Sequence, residues 1–330
     1  MGENSSGDAR IKLGIARCLL GENVRYDGGH KLDTYLRDVL GQYVEWVPVC
    51  PEVECGMTVP REALRLAGDV SAPRLVGRRS GEDWTERMTE WGWTRLDALE
   101  KEGLCGYIFK HGSPSNAMGR MKVFQENGRV LYTGRGIWAA MVMERFPWMP
   151  CEDDGRLHDA RIRENFITRI FTLKRWKDAV AGDVTVEVDK GVKRGAVVDF
   201  HTRHKMLVLA HNEKIYREMG RLVASTGTMA PEVMEAQYLE LLLKALNFMP
   251  TAKKHVNVLD HAMGYFKKDI SSDEKAELKE VIEQYRCGLV PLIVPIALLN
   301  HHVRKHGKDY LKKQYYLNPF PVELMLRNHV

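Results

Sequence analysis

The sequence predicts an α/β domain, a short and mostly parallel sheet with covering helices, followed by an all-α domain. Three observations carry this. Short apolar runs alternate with amphipathic stretches through the first 150 residues or so. Long helical patterns fill the remainder. The 330 residues also exceed the size, roughly 250 to 300 residues, at which a single hydrophobic core stops growing. The expected domains are 9–155 and 156–330.

In the first part, residues 11–17 (IKLGIAR) read as a strand, 32–42 as a helix and 44–49 (VEWVPV) as a second strand. A short strand is expected at 74–77. Apolar and aromatic residues at helical spacing over 84–101 predict a helix ending at Gly103. Residues 106–110 (GYIFK) read as another strand, and 136–146 as a helix stopped by Pro147. The acidic, turn-rich stretch 148–159 reads as the junction. Helices are then expected at 160–180, 201–211, 213–225, 231–249, 251–267, 272–286 and 290–306. Ser271 or Ser272 suits an N-cap, and Pro231 suits a first helical turn.

The composition, 44% hydrophobic with 28% charged, is that of a globular chain and excludes collagen-like and disordered classes. No run approaches the roughly 18 to 20 apolar residues of a membrane span, and the polar start MGENSSGDAR lacks the apolar core of a secretory signal, so a cytoplasmic location is expected. Lys and Arg balance Asp and Glu up to residue 200. Residues 201–330 hold nineteen basic against fourteen acidic side chains and nine of the twelve histidines, which suits either a partner carrying negative charge or a merely basic surface. Six cysteines in a reducing compartment are buried thiols, metal ligands or nucleophiles rather than a disulfide framework.

Three conspicuous segments each follow a predicted strand: Cys18 with LLGENVRYDGGHK, residues 48–60 (PVCPEVECGMTVP) and residues 110–119 (KHGSPSNAMG). Ligands of open α/β sheets bind outside the carboxyl ends of the strands, so these segments are expected to converge on one crevice. Cys50 and Cys55 have a C-x4-C spacing that also occurs among iron–sulfur ligands. Buried thiols, or zinc held by Cys18, Cys50, Cys55 and either His30 or His111, are the other readings. Beside them Glu52 can shuttle a proton, and the hydroxyls of Ser113 and Ser115 can orient a leaving group or water. Asn23, Arg25, Tyr26 and Asp27, with Gly28 and Gly29, combine donors and an aromatic face, a grip for a heteroaromatic ring. No dinucleotide or ATP motif is present. Arg135 in GRGIW marks either a helix N-terminus facing an anion or a simple turn.

In the second half, basic clusters at 201–205, 253–255, 267–268 and 304–313 lie near Tyr265, Phe266, Tyr310, Tyr315 and Tyr316. Cations neutralise phosphates and rings stack on unpaired bases, a pairing suited to structured RNA; solvated helix faces around aromatic core residues are the alternative.

The runs ARCLLGENVRYDGGHK, PVCPEVECG, FKHGSPS and GRGIW resemble the thiouracil desulfidase family. GRLHDARIRENFITRIF, HTRHKMLVLAHNEKIYREMGRLV, NVLDHAMGYFKK and EKAELKEVIEQYRCGLVPLIVP resemble a helical domain often fused to it. The resemblance covers nearly all of the chain beyond its first ten residues. It implies an enzyme whose [4Fe–4S] cluster binds a thione sulfur at its open iron, the fused form returning 4-thiouridine in tRNA to uridine with water replacing sulfur. By motif, Glu52 and Ser113 match the assisting Glu and Ser, and Cys18 and Cys50 match cluster ligands. The third cluster cysteine of the single-domain desulfidases falls where this chain has Asn116. Cys55 is the expected substitute, ahead of Cys105 and Cys151, and Asn116 and Ser115 join the substrate-binding candidates. Action on free thiouracil or thionucleosides, or RNA binding by a protein that has lost its cluster, are the rival expectations.

Overall fold

A computed structural model describes residues 10–181, 190–225, 227 and 229–329 of the chain. The fold divides after Asp159 into two compact units.

The first unit is built on a four-stranded, fully parallel sheet with strand order β2-β1-β5-β8, made of β1 (Ile11–Ala16), β2 (Val44–Val49), β5 (Gly106–Phe109) and β8 (Cys151–Asp153). β1 and β5 are almost continuously buried, as strands covered on both faces are. Gly14 at the middle of β1 lies opposite Tyr107 of β5, and a Cβ there would stand 2.2 Å from the tyrosine ring, so only glycine fits. Tyr107 spends its hydroxyl on the Trp138 indole N–H at 2.9 Å. That ring pair joins the sheet to α2 (Thr85–Glu102) and α3 (Ile137–Arg145), whose Leu96, Leu99, Met141 and Val142 complete the core.

A second four-stranded sheet, order β4-β3-β6-β7, was not foreseen apart from β4 (Arg74–Gly77). Its other strands, β3 (Leu64–Ala67), β6 (Met121–Phe124) and β7 (Val130–Thr133), have four residues each, too few for a periodic signal; their identity as strands comes from pairing. β8 is likewise a strand inside the expected junction, recruited by pairing with β5. The helix predicted at 32–42 is a wide turn over Tyr35–Val39 followed by a tight one over Leu40–Gln42, with Gly41 and the β-branched Val39 weakening a regular helix.

The second unit is all-α, as predicted. Its helices are α4 (Ala160–Ala181), α5 (Lys190–His211), α6 (Glu213–Ala224), α7 (Pro231–Leu246), α8 (Ala252–Met263), α9 (Ser272–Arg286), α10 (Ile293–Lys305) and the single turn α11 (Asp309–Lys312). The expected helix at 201–211 is the end of the longer α5. Ser271 caps α9 in a reciprocal capping box with Glu274, and Pro231 opens α7. No described helix is long and apolar enough to cross a membrane.

Many residues expected to face RNA form this unit's core. Phe200 stacks on His204 at 3.7 Å and His204 on Tyr315 at 4.4 Å, while Tyr316 and Phe266 are fully buried. His255 meets the Tyr316 hydroxyl at 3.0 Å and His201 that of Tyr238 at 3.1 Å. Burial drives these imidazoles to stay neutral, lowering His201 and His211 to about 4 and His255 to about 3, so they add no charge near pH 7.

That burial makes stability depend on pH. Because the folded values lie below the ordinary 6.5, the unfolded chain binds more protons as pH falls below about 6.5, and acid favours unfolding. The loss is on the order of 2 kcal/mol per such histidine at pH 5 and 3 at pH 4. The urea midpoint of the helical unit, followed by intrinsic fluorescence, is expected to drop clearly between pH 7.5 and 5; an unchanged midpoint contradicts neutral buried histidines.

Candidate active site at the carboxyl edge of the parallel sheet

β1 pairs with β2 on one side and β5 on the other, so successive connections leave β1 in opposite directions and open a crevice at their carboxyl ends. The register Ala16↔Val49 and Ile15↔Ile108 brings the strand ends level. Parallel neighbours lie roughly 4.8 Å apart, so the residues just beyond, Cys18, Cys50 and Lys110, converge although they are far apart in sequence. They line a cavity of about 430 Å³, together with Arg25, Tyr26, Glu52, Arg61, Ser113 and Asn116.

Cys18 sits in the tight turn Arg17–Leu20 after β1, which ends on Gly21 in the left-handed conformation (φ 94°). Cys50 caps α1 (Pro51–Glu54), with Pro51 at the first helical position and the Cys50 N–H donating to Glu54 at 2.9 Å. Burial, reinforced by the Glu52 charge, pushes the Cys18 thiol up to about 11 and the Cys50 thiol higher still. Both are therefore thiols at neutral pH until a metal displaces their protons.

Glu52, 12% exposed, is the hub. Its Oε1 accepts from Ser113 Oγ at 3.4 Å and from Ser115 Oγ, the two hydroxyls lie 2.8 Å apart, and its Oε2 accepts from the Cys50 thiol at 3.4 Å. Arg61 reaches Oε2 at 3.9 Å while donating to Val24 O at 3.1 Å. The loop carrying the serines is latched onto α3. The N–H groups of Ile137 and Ala139, unpaired inside the helix, donate to Pro114 O and Ser115 O, and a Cβ on Gly136 would stand 2.6 Å from the Ser115 carbonyl. The α3 N-terminus is thus spent on the loop, not on an anion.

Some expected residues are placed elsewhere. Asn23 and Asp27 are exposed and do not line the cavity; Asp27 instead steadies Arg25 at 3.4 Å, and Arg25 lies over the Tyr26 ring. Ser115 is fully buried behind Glu52 and supports it rather than facing the cavity. Cys55 is not brought to the cavity: the α1 turn directs its thiol back to Glu52 O at 3.3 Å, and it packs with Met57, Leu66, Leu75, Met88 and Val123. Cys105 and Cys151 are buried at other points of the sheet, and Cys287 is exposed. His111 lines the cavity rim, whereas His30 does not. Arg61, Arg78, Lys31 and Lys110 are cavity residues not singled out for it in the sequence; their positive charge beside the strand ends was the available signal.

Asn116 is 4% exposed, lines the cavity, and its Oδ1 has no hydrogen-bond partner. A buried oxygen left without a donor is costly, so this atom is free to accept a bond from a ligand. Two thiols and one amide oxygen therefore face the same space, a donor set that fits an iron–sulfur cluster held by two thiolates and a weaker third ligand. The helical unit has a separate cavity of about 210 Å³, but its buried Glu164 is already paired with Arg327 and His329, each at 3.0 Å.

A family model described as 2-thiouracil desulfurase matches residues 13–154, and one described as a protein of unknown function, DUF1722, matches residues 205–321. The uncharacterized protein YbgA of Escherichia coli K12 is 32% identical over 141 residues, 42% of this chain and 83% of YbgA. The solved structure of a [4Fe-4S]-dependent thiouracil desulfidase, TudS, is similar at 28% identity, covering 46% of this chain and 95% of its own, with a TM-score of 0.37.

Proposed function

From the premise that this chain belongs to the family of YbgA and joins a 2-thiouracil desulfurase domain to a DUF1722 domain, we propose that it is a tRNA 4-thiouridine desulfidase. The observation that carries this reading is the Glu52 carboxylate, held by two serine hydroxyls, facing a cavity that two thiols from adjacent parallel strands also line. The reaction exchanges the C4 thione sulfur for a water oxygen, giving uridine and hydrosulfide without net redox change.

Cys18 and Cys50 would hold the [4Fe–4S] cluster, with Asn116 Oδ1 as the third donor. When bound, the cluster supplies a Lewis-acidic iron with affinity for the thione sulfur. The protein's own groups do the rest. Glu52 takes a proton from the attacking water and returns it to the departing sulfur, and Ser113 orients that water. Tyr26 and Arg25 flank the ring. The cavity volume lies within the range of small-ligand sites, about 300–1,000 Å³, so it can take one extruded base. The cations around it, with the exposed Lys253, Lys267, Lys268, Lys312 and Lys313 of the helical unit, support a polyphosphate partner, and a cytoplasmic setting suits both reduced thiols and tRNA.

The deciding experiment reconstitutes the chain anaerobically with iron and sulfide and compares turnover of thiolated tRNA, 4-thiouridine and thiouracil. Preference for tRNA supports the proposal, and preference for the free base moves the substrate to a small thiopyrimidine. No bound iron or sulfide with tRNA binding intact overturns it in favour of an RNA-binding protein, the reading that the missing third thiolate at Asn116 favours.

A further inference from the structure

We propose that the helical unit carries a second metal site, for a zinc ion, formed by Glu274, His302 and His306 and independent of the cysteine cavity. His302 lies in the last turn of α10 and His306 immediately follows that helix, a four-residue spacing that puts both rings on one side. Their planes are nearly parallel, 15° apart, with centroids 5.9 Å apart. Glu274 reaches them from the first turn of the neighbouring α9. One ligand atom from each of the three residues lies within 4.8 Å of the others. Zinc bonds of 2.0–2.1 Å in tetrahedral array set ligand atoms roughly 3.3 Å apart, so side-chain shifts of about 1 Å close the site.

The histidines show an unmet demand. His302 is 2% exposed, yet neither of its ring nitrogens has a hydrogen-bond partner, and His306 Nε2 is also buried without one. Buried imidazole nitrogens are ordinarily satisfied by a carbonyl, hydroxyl, water or metal, as His211 Nδ1 is by Phe248 O and His255 Nδ1 by the Tyr316 hydroxyl. Two imidazoles and a carboxylate favour zinc over calcium or magnesium, which take oxygen ligands, and leave a fourth position for water. Glu274 is at present neutralised by Lys305 at 2.6 Å, and its other oxygen accepts the Ser271 N–H. Lys305 is half exposed and can swing into solvent as zinc takes its place. The ion would then tie the start of α9 to the end of α10.

The test uses the full chain, stripped with a chelator and titrated with zinc chloride against a chromophoric competitor. Cysteine thiolates are zinc ligands in general, so the reading is the difference between chains whose cysteines are identical. The parent chain is expected to bind one more equivalent than His306→Gln, with unchanged circular dichroism. Glu274→Gln, which keeps its cap acceptor, should weaken that equivalent by more than about tenfold. Lys305→Met, by removing the competing cation, should tighten it. Cobalt in place of zinc should give a difference spectrum with ligand-field bands and no thiolate charge-transfer band. Equal stoichiometry in the parent and His306→Gln chains, or a difference spectrum with thiolate character, overturns the site.

Discussion

Replacing Cys18 or Cys50 with alanine is expected to abolish cluster binding and desulfidase turnover together. The two thiols come from the ends of paired strands and are the cysteines that line the cavity among the described residues, so neither has a neighbour able to substitute for it. Changing groups that merely support metal ligands commonly costs 10- to 100-fold, so loss of a ligand from a three-donor set should exceed roughly 100-fold. The fold should survive, because cysteine to alanine removes a single buried atom. Iron and sulfide content, the visible absorbance of the reconstituted protein, and turnover of thiolated tRNA are the measurements. Either variant keeping full activity would sink the assignment. Cys55→Ala is the internal comparison: its thiol packs against Met57 and Met88 away from the cavity, so it should alter stability slightly and leave iron content unchanged.

Glu52→Gln should lower kcat by roughly 10²- to 10⁴-fold, the usual worth of a positioned proton-transfer group, with little change in iron content. Glutamine retains the volume and one acceptor oxygen for Ser113 and Ser115, so the loop stays in place while proton exchange is lost. Glu54→Gln serves as the contrast. That carboxylate accepts the Cys50 N–H and pairs with Arg95 at 3.3 Å, an architectural role, and its replacement should leave kcat within a few-fold of the parent. Equal losses in both variants would show that the charge around α1 matters only for structure.

The sequence by itself determined the two fold classes, the strands β1, β2 and β5, most helices of the second unit, and the loops from which the site is built. These are properties of local pattern. Period-2 and period-3.6 burial, a proline in a first helical turn and a serine at a cap act within a few residues of chain, where their energetics are decided.

Only the tertiary structure decided the rest, because each remaining feature depends on what a distant segment supplies. β3, β6, β7 and β8 are strands through pairing with their neighbours, and nothing within their own three or four residues singles them out. Cys50 and Cys55 lie five residues apart, yet the turn of α1 sends one thiol into the cavity and the other into the apolar core. Asp27 and Asn23 belong to the same polar run as Arg25 and Tyr26, and the direction of the loop leaves them in solvent. His201, His204, His211 and His255, four of the histidines that suggested positive charge, lie on helices whose partners bury them, and burial outweighs their intrinsic basicity. A short motif names the chemistry available at a position, and the packing of elements far away in sequence determines whether a side chain meets ligand, core or water.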